Sequence, residues 1–148
     1  MRKQIINNLK IDKELYGKIL DAINFLVKYR NCYRFKKLGF RRVYPKVASG
    51  RYFFINKKLG LFIKCSFTVE ILTQLPAQSR KLIIPSIILT YNEFEPDDSV
   101  WIIQPIADVK NFTKTYNELL DNYFYKFFCD PHKRNVGRYK NKAVVIDW

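Results

Sequence analysis

Cys129-Asp130-Pro131-His132-Lys133-Arg134-Asn135-Val136-Gly137, followed after five residues by Ala143-Val144-Val145-Ile146-Asp147-Trp148, is the stretch that decides how this chain is read. Asp130 is followed five positions later by Asn135, and Asp147 comes twelve after that, closing an apolar strand-like run.

Outward from that stretch, residues 111–128 read as a helix, with Phe112, Tyr116, Leu119, Leu120, Tyr123 and Phe127 on one broad face. Before it come two strand candidates, Ile83–Tyr91 and Val100–Ile106, separated by an acidic turn over Glu93–Ser99. Earlier still, Tyr52-Phe53-Phe54-Ile55 and Leu61–Phe67 flank Asn56-Lys57-Lys58-Leu59-Gly60, a hairpin signal. Residues 12–30 carry Leu15, Ile19, Ile23 and Leu26 at helical spacing behind Asp12, a natural N-cap. A basic stretch follows, with Arg34, Lys36, Lys37, Arg41 and Arg42 interleaved with Tyr33, Phe35 and Phe40. The order helix, about five strands, helix, loop, strand pair predicts an α+β fold with a largely antiparallel sheet.

The chain has 148 residues, 48 % of them apolar, enough for one domain with its own core. Its apolar runs are too short to span a bilayer, and Met1-Arg2-Lys3-Gln4 opens no apolar signal region, so the expected address is cytoplasmic. Cys32, Cys65 and Cys129 form no metal-ligand spacing and read as reduced thiols. The net charge of +14 implies an anionic partner: a phosphorylated ligand, nucleic acid, acidic lipid or acidic protein. The alternative is a solvated Lys-rich surface, and the Lys, Asn, Ile and Tyr usage fits an AT-rich, phage-like genome.

Taken together, a strand, a Ser49-Gly50 turn, a strand bearing Lys64, two further strands, a helix, Asp-Pro-His-Lys-Arg-Asn and Val-Val-Ile-Asp-Trp resemble the protein-kinase-like superfamily. The resemblance covers about residues 43–148 and is nearer the small-molecule branch, which includes aminoglycoside phosphotransferases, choline kinases and the sugar kinases of the lipopolysaccharide core. It implies a single minimal kinase-like domain. Residues 1–42 would be an N-terminal helix and basic extension, 43–106 an N-lobe antiparallel sheet, and 107–148 a connecting helix with the catalytic and metal-binding loops. Most of the C-lobe would be missing, because the chain stops one residue after Asp147.

The resemblance also assigns roles, with Mg²⁺ and ATP as cofactors. Asp130 would orient or deprotonate an acceptor hydroxyl, His132 would shape that loop, and Asn135 and Asp147 would hold Mg²⁺. Lys64 would grip the α- and β-phosphates, Ser49 and Gly50 would cover them, and Gln104-Pro105-Ile106 would form a hinge meeting an adenine edge through its backbone. Taken singly, each has an ordinary reading: a solvated strand lysine, a plain turn, a structural loop histidine, a terminal surface charge.

Departures from the family pattern shape the expectation of activity. Phe62 stands where the family keeps a small residue over the adenine, and Pro105 removes a hinge donor. The glycine loop has one glycine. Glu70 lies in a strand-like context and Pro76 breaks the segment after it, so Glu14 or Asp21 of the first helix would have to serve as the acidic partner of Lys64. Three functions stay open: a minimal phosphotransferase, completed or not by a partner protein; a pseudokinase interaction module; and a nucleic-acid-binding protein using residues 28–46.

Overall fold

In the computed structural model the described residues are 2–44, 52–66, 72, 74–90, 100–128 and 135–147. Among them, eight strands and four helices build an α+β fold. Six strands form one antiparallel sheet in the order β1-β5-β6-β4-β3-β2, and β7 and β8 form a separate hairpin. The elements are β1 (Arg2–Ile6), α1 (Lys13–Tyr29), α2 (Tyr33–Lys37), β2 (Arg41–Arg42), β3 (Tyr52–Asn56) and β4 (Leu61–Ser66). They continue as α3 (Ala77–Arg80), β5 (Ser86–Thr90), β6 (Val100–Pro105), α4 (Phe112–Leu120), a 3₁₀ turn over Tyr123–Phe127, β7 (Val136–Tyr139) and β8 (Lys142–Val145).

Helix α1 starts where its sequence says it should. The Asp12 carboxylate accepts the Leu15 N–H at 3.1 Å, and Arg30, in the left-handed region, closes the helix by donating its N–H to the Leu26 carbonyl. The apolar stripe of α1 (Ile19, Ala22, Ile23 and Leu26) lies on one face of the sheet, against Phe54, Ile63, Cys65, Leu89, Trp101 and Ile103. Phe35 of α2 enters the same core, with its ring stacked on Phe54 at 4.1 Å. The basic stretch is thus divided: Phe35 and Phe40 are core, and Tyr33 is exposed.

The second face of the sheet (Ile88, Val100 and Ile102) packs on Leu119, Tyr125, Phe128, Val136 and Val145. Strand alternation puts Phe62, Lys64 and Gln104 on this second face, since Lys64 lies opposite Ile102 and Phe62 opposite Gln104. The β7–β8 hairpin is held here from both sides. Ile84 donates to the Val145 carbonyl at 3.0 Å and Val145 to the Leu82 carbonyl at 2.8 Å, while Asp108 and Arg138 exchange two backbone bonds of 2.8 Å. Its two-residue turn, Lys140-Asn141, has φ of 50° and 63°, the signature of a tight type I′ connection.

Three elements differ from the sequence expectation. Strand β1 was not anticipated, because Arg2, Lys3 and Gln4 lie on an exposed sheet edge and only Ile6 is buried, so no alternation marks it. The basic stretch holds a short helix, α2. The helix expected over 111–128 is split in two, because Asn122 is extended (φ −93°, ψ 119°) and its side chain caps Phe124 instead of letting α4 continue.

Close packing beside the hairpin gives a stability test. A Cβ on Gly137 would stand 2.9 Å from Ala107 Cβ and 3.2 Å from the Asp108 carbonyl oxygen, so Gly137→Ala should cost about 1–3 kcal/mol. Gly17 of α1 has nothing within 4 Å, so Gly17→Ala should stabilise by about 0.5–1 kcal/mol. Urea midpoints of the two variants should therefore move in opposite directions.

Candidate functional site

Lys64 lies in the middle of β4, on the face covered by the hairpin, with 6 % of its surface exposed. An ammonium is costly to bury unless its protons are taken up. Lys64 Nζ donates to the Ile146 carbonyl at 2.9 Å and to Asp147 Oδ1 at 3.3 Å. Burial lowers the Lys64 pKa from its ordinary 10.5, opposed by the charge of Asp147 and its hydrogen bond. The pair is lopsided, for the Asp147 side chain is 64 % exposed while the lysine is enclosed.

The open end of the β7–β8 hairpin positions the carboxylate. Asn135 precedes β7, and its carbonyl accepts the Ile146 N–H at 2.8 Å and the Asp147 N–H at 3.3 Å. Asn135 and Asp147 are therefore neighbours across the hairpin mouth, and Lys64 reaches the same mouth from the sheet. Three of the residues picked from the sequence, Lys64, Asn135 and Asp147, are brought together. Ser49, Gly50, Asp130 and His132 lie outside the described residues.

The expected hinge has a specific geometry. Gln104 and Pro105 are the last residues of β6, and the Ile106 N–H donates to the Gly60 carbonyl at 2.9 Å. With proline lacking an N–H, neither Pro105 nor Ile106 offers a base an uncommitted backbone donor. The Gln104 side chain is buried with Oε1 lacking a hydrogen-bond partner. Phe62 is half-buried on the Lys64 face, its ring 6.0 Å from that of Phe53. Neither candidate acid for Lys64 from α1 reaches it. Glu14 pairs with Lys18 and Asp21 with Arg34, and α1 packs on the opposite face of the sheet. The carboxylate beside the lysine is Asp147 itself.

No family model, curated protein or solved structure matches the chain. The chemistry of the site thus rests on its own residues. The exposed Asp147 carboxylate supplies a hard oxygen at this edge, the Asn135 backbone is bonded beside it, and the Lys64 amine reaches the same place from the sheet. Among the described residues no group of three or more His, Cys, Asp or Glu gathers as a self-contained metal cage. Mg²⁺ suits such a sparse donor set, because it is commonly held by one or two carboxylates together with phosphate oxygens and water. Sequence reading missed two participants. The Ile146 carbonyl is a backbone group with no residue signature. Phe53 belongs to the same face as Lys64 by simple alternation along β3 and could have been found that way.

Proposed function

We propose that this chain is a kinase-like protein that binds Mg²⁺-ATP at the Lys64–Asn135–Asp147 mouth and passes a phosphoryl group to a hydroxyl acceptor. The observation that carries this reading is the contact between a buried lysine on β4 and an exposed carboxylate after β8, 83 positions along the chain. A lysine serving only stability would more cheaply be an apolar residue. A buried ammonium whose partner is open to solvent suits a site that accepts phosphate on one side and a cation on the other. Bound Mg²⁺ would neutralise phosphate charge. Asn135 and Asp147 would hold it, Lys64 would fix the α- and β-phosphates, and Asp130 would orient the acceptor hydroxyl.

A second reading, a pseudokinase that holds a partner protein, is favoured by one observation. The residues expected to meet a base offer it little, for Phe62 is half-buried on the Lys64 face and the Ile106 N–H is committed to the Gly60 carbonyl.

Thermal melts with Mg²⁺-ATP, ATP alone and Mg²⁺ alone test the binding reading, because a ligand of the folded state raises the melting temperature by mass action. At a hundred times its dissociation constant, Mg²⁺-ATP should stabilise by about 2.7 kcal/mol. No shift with millimolar Mg²⁺-ATP would contradict nucleotide binding. A shift without phosphate release to water or to any hydroxyl acceptor would favour the pseudokinase.

A further inference from the structure

Residues 13–44 carry nine basic residues against two acidic ones, half of the chain's net charge of +14. Arg41 pairs with Ile55 and so falls on the Lys64 face of the sheet, but the other eight lie on or beside α1 and α2 or, for Arg42, on the sheet face those helices cover. Between the two helices runs an open groove of about 550 Å³, lined by Lys18, Asp21, Tyr33, Arg34, Lys37 and Leu38. Its two flanking acids are already partnered, Asp21 with Arg34 and Glu14 with Lys18. Arg34 is held in place twice over, by Asp21 and by the Phe25 ring 4.4 Å from its guanidinium carbon.

The aromatic residues of this side fall into two sets. Phe35 and Phe40 are core, but Tyr29, Tyr33 and Tyr44 are 57 %, 62 % and 75 % exposed. Two of the three already carry a cation on their rings. Lys28 lies 5.2 Å from the Tyr29 centroid, and Arg42 lies 4.7 Å from both Tyr44 and Tyr52. Tyr52 packs against the α1–α2 core, which keeps Arg42 on the same side as the groove.

We propose that this face binds single-stranded nucleic acid, with phosphates along Lys18, Arg34 and Lys37 and bases stacked on the exposed tyrosines. Charge alone would suit any polyanion. Exposed rings set between fixed cations are the element that single strands use and that an acidic peptide does not need. A membrane surface would instead call for aliphatic and Trp or Phe side chains on the exposed face. The proposal does not rest on the Lys64 site, which lies across the sheet.

The test is fluorescence anisotropy with labelled single-stranded 12-mers, one RNA and one DNA, at 50 and 200 mM salt. With about four phosphates engaged, affinity should fall about fifty-fold between those salts. Tyr33→Ala should weaken binding about fivefold or more at fixed salt without changing the salt slope. Lys37→Glu should weaken it and lower the slope by about 0.7, one phosphate contact. Both side chains are exposed, so both variants should melt with the wild type. The proposal is overturned if neither 12-mer binds saturably at 50 mM salt, if Tyr33→Ala binds as well as wild type, or if polyglutamate or anionic vesicles compete as well as the unlabelled strand.

Discussion

Lys64→Met should melt higher than the wild type at neutral pH and should lose its response to Mg²⁺-ATP. Methionine nearly matches the apolar stem of lysine in volume and removes a charge that is only 6 % exposed. Replacing a buried charge by a packed apolar side chain is commonly stabilising by about 1–4 kcal/mol. The gain here should lie at the low end, because the Ile146 carbonyl loses its donor and must turn to water. About 1–2 kcal/mol would raise the melting temperature by about 2–4 °C per kcal/mol in a chain of this size.

The pH dependence follows from the lowered pKa of Lys64. Between the folded pKa and the unfolded value near 10.5, the unfolded chain holds more protons than the folded one, so wild-type stability rises with pH there. The destabilising cost of the lysine is fully present below the folded pKa and is relieved as pH climbs toward 10.5. The advantage of Lys64→Met should therefore be largest below the folded pKa of Lys64 and shrink in urea titrations as pH climbs toward 10.5. A Met variant destabilised by several kcal/mol at neutral pH would mean that the lysine is a structural staple instead.

Asp147→Ala should act in the other direction. It leaves the Lys64 ammonium buried and removes the carboxylate that opposes its desolvation, so the lysine pKa should fall further. Losing one partner of a fully buried pair costs about 3–5 kcal/mol, and losing an exposed pair about 0–1. With Asp147 64 % exposed, a loss of about 1–2 kcal/mol is expected. In the Lys64→Met background the same change should be close to neutral, so a double-mutant cycle isolates the coupling. An equal loss in both backgrounds would assign the effect to the hairpin mouth and not to the ion pair.

Much of this arrangement was legible from local patterns. Asp12 and the Leu15-Ile19-Ile23-Leu26 spacing marked α1, and Asn56–Gly60 marked the β3–β4 turn. What could not be read was which face each element covers. An apolar stripe says that α1 must be buried, but not that it packs opposite Lys64, which is why Glu14 and Asp21 were plausible partners and are not near it. The aromatic interleaving of the basic stretch was equally ambiguous, since Phe35 and Tyr33 differ in burial only through the turn of one short helix.

The meeting of Lys64 with Asp147 depends on backbone bonds. Ile84 and Leu82 grip Val145, and Asp108 grips Arg138. These bonds fix the hairpin against the sheet without demanding any residue type, so they leave no trace in the sequence. The Asp130–Asn135–Asp147 spacing carried the site reading, and two of its three residues stand at the hairpin mouth, with Asp130 outside the described residues.

The most direct test of the central claim is calorimetric titration of ATP into wild type and Asp147→Asn, each with and without Mg²⁺. The amide keeps the shape and an acceptor oxygen at this position but removes the charge a divalent cation requires. Saturable binding by the wild type only with Mg²⁺, lost in Asp147→Asn, is the predicted result. Equal binding by both proteins, or binding indifferent to Mg²⁺, would contradict a metal-nucleotide site at Lys64, Asn135 and Asp147.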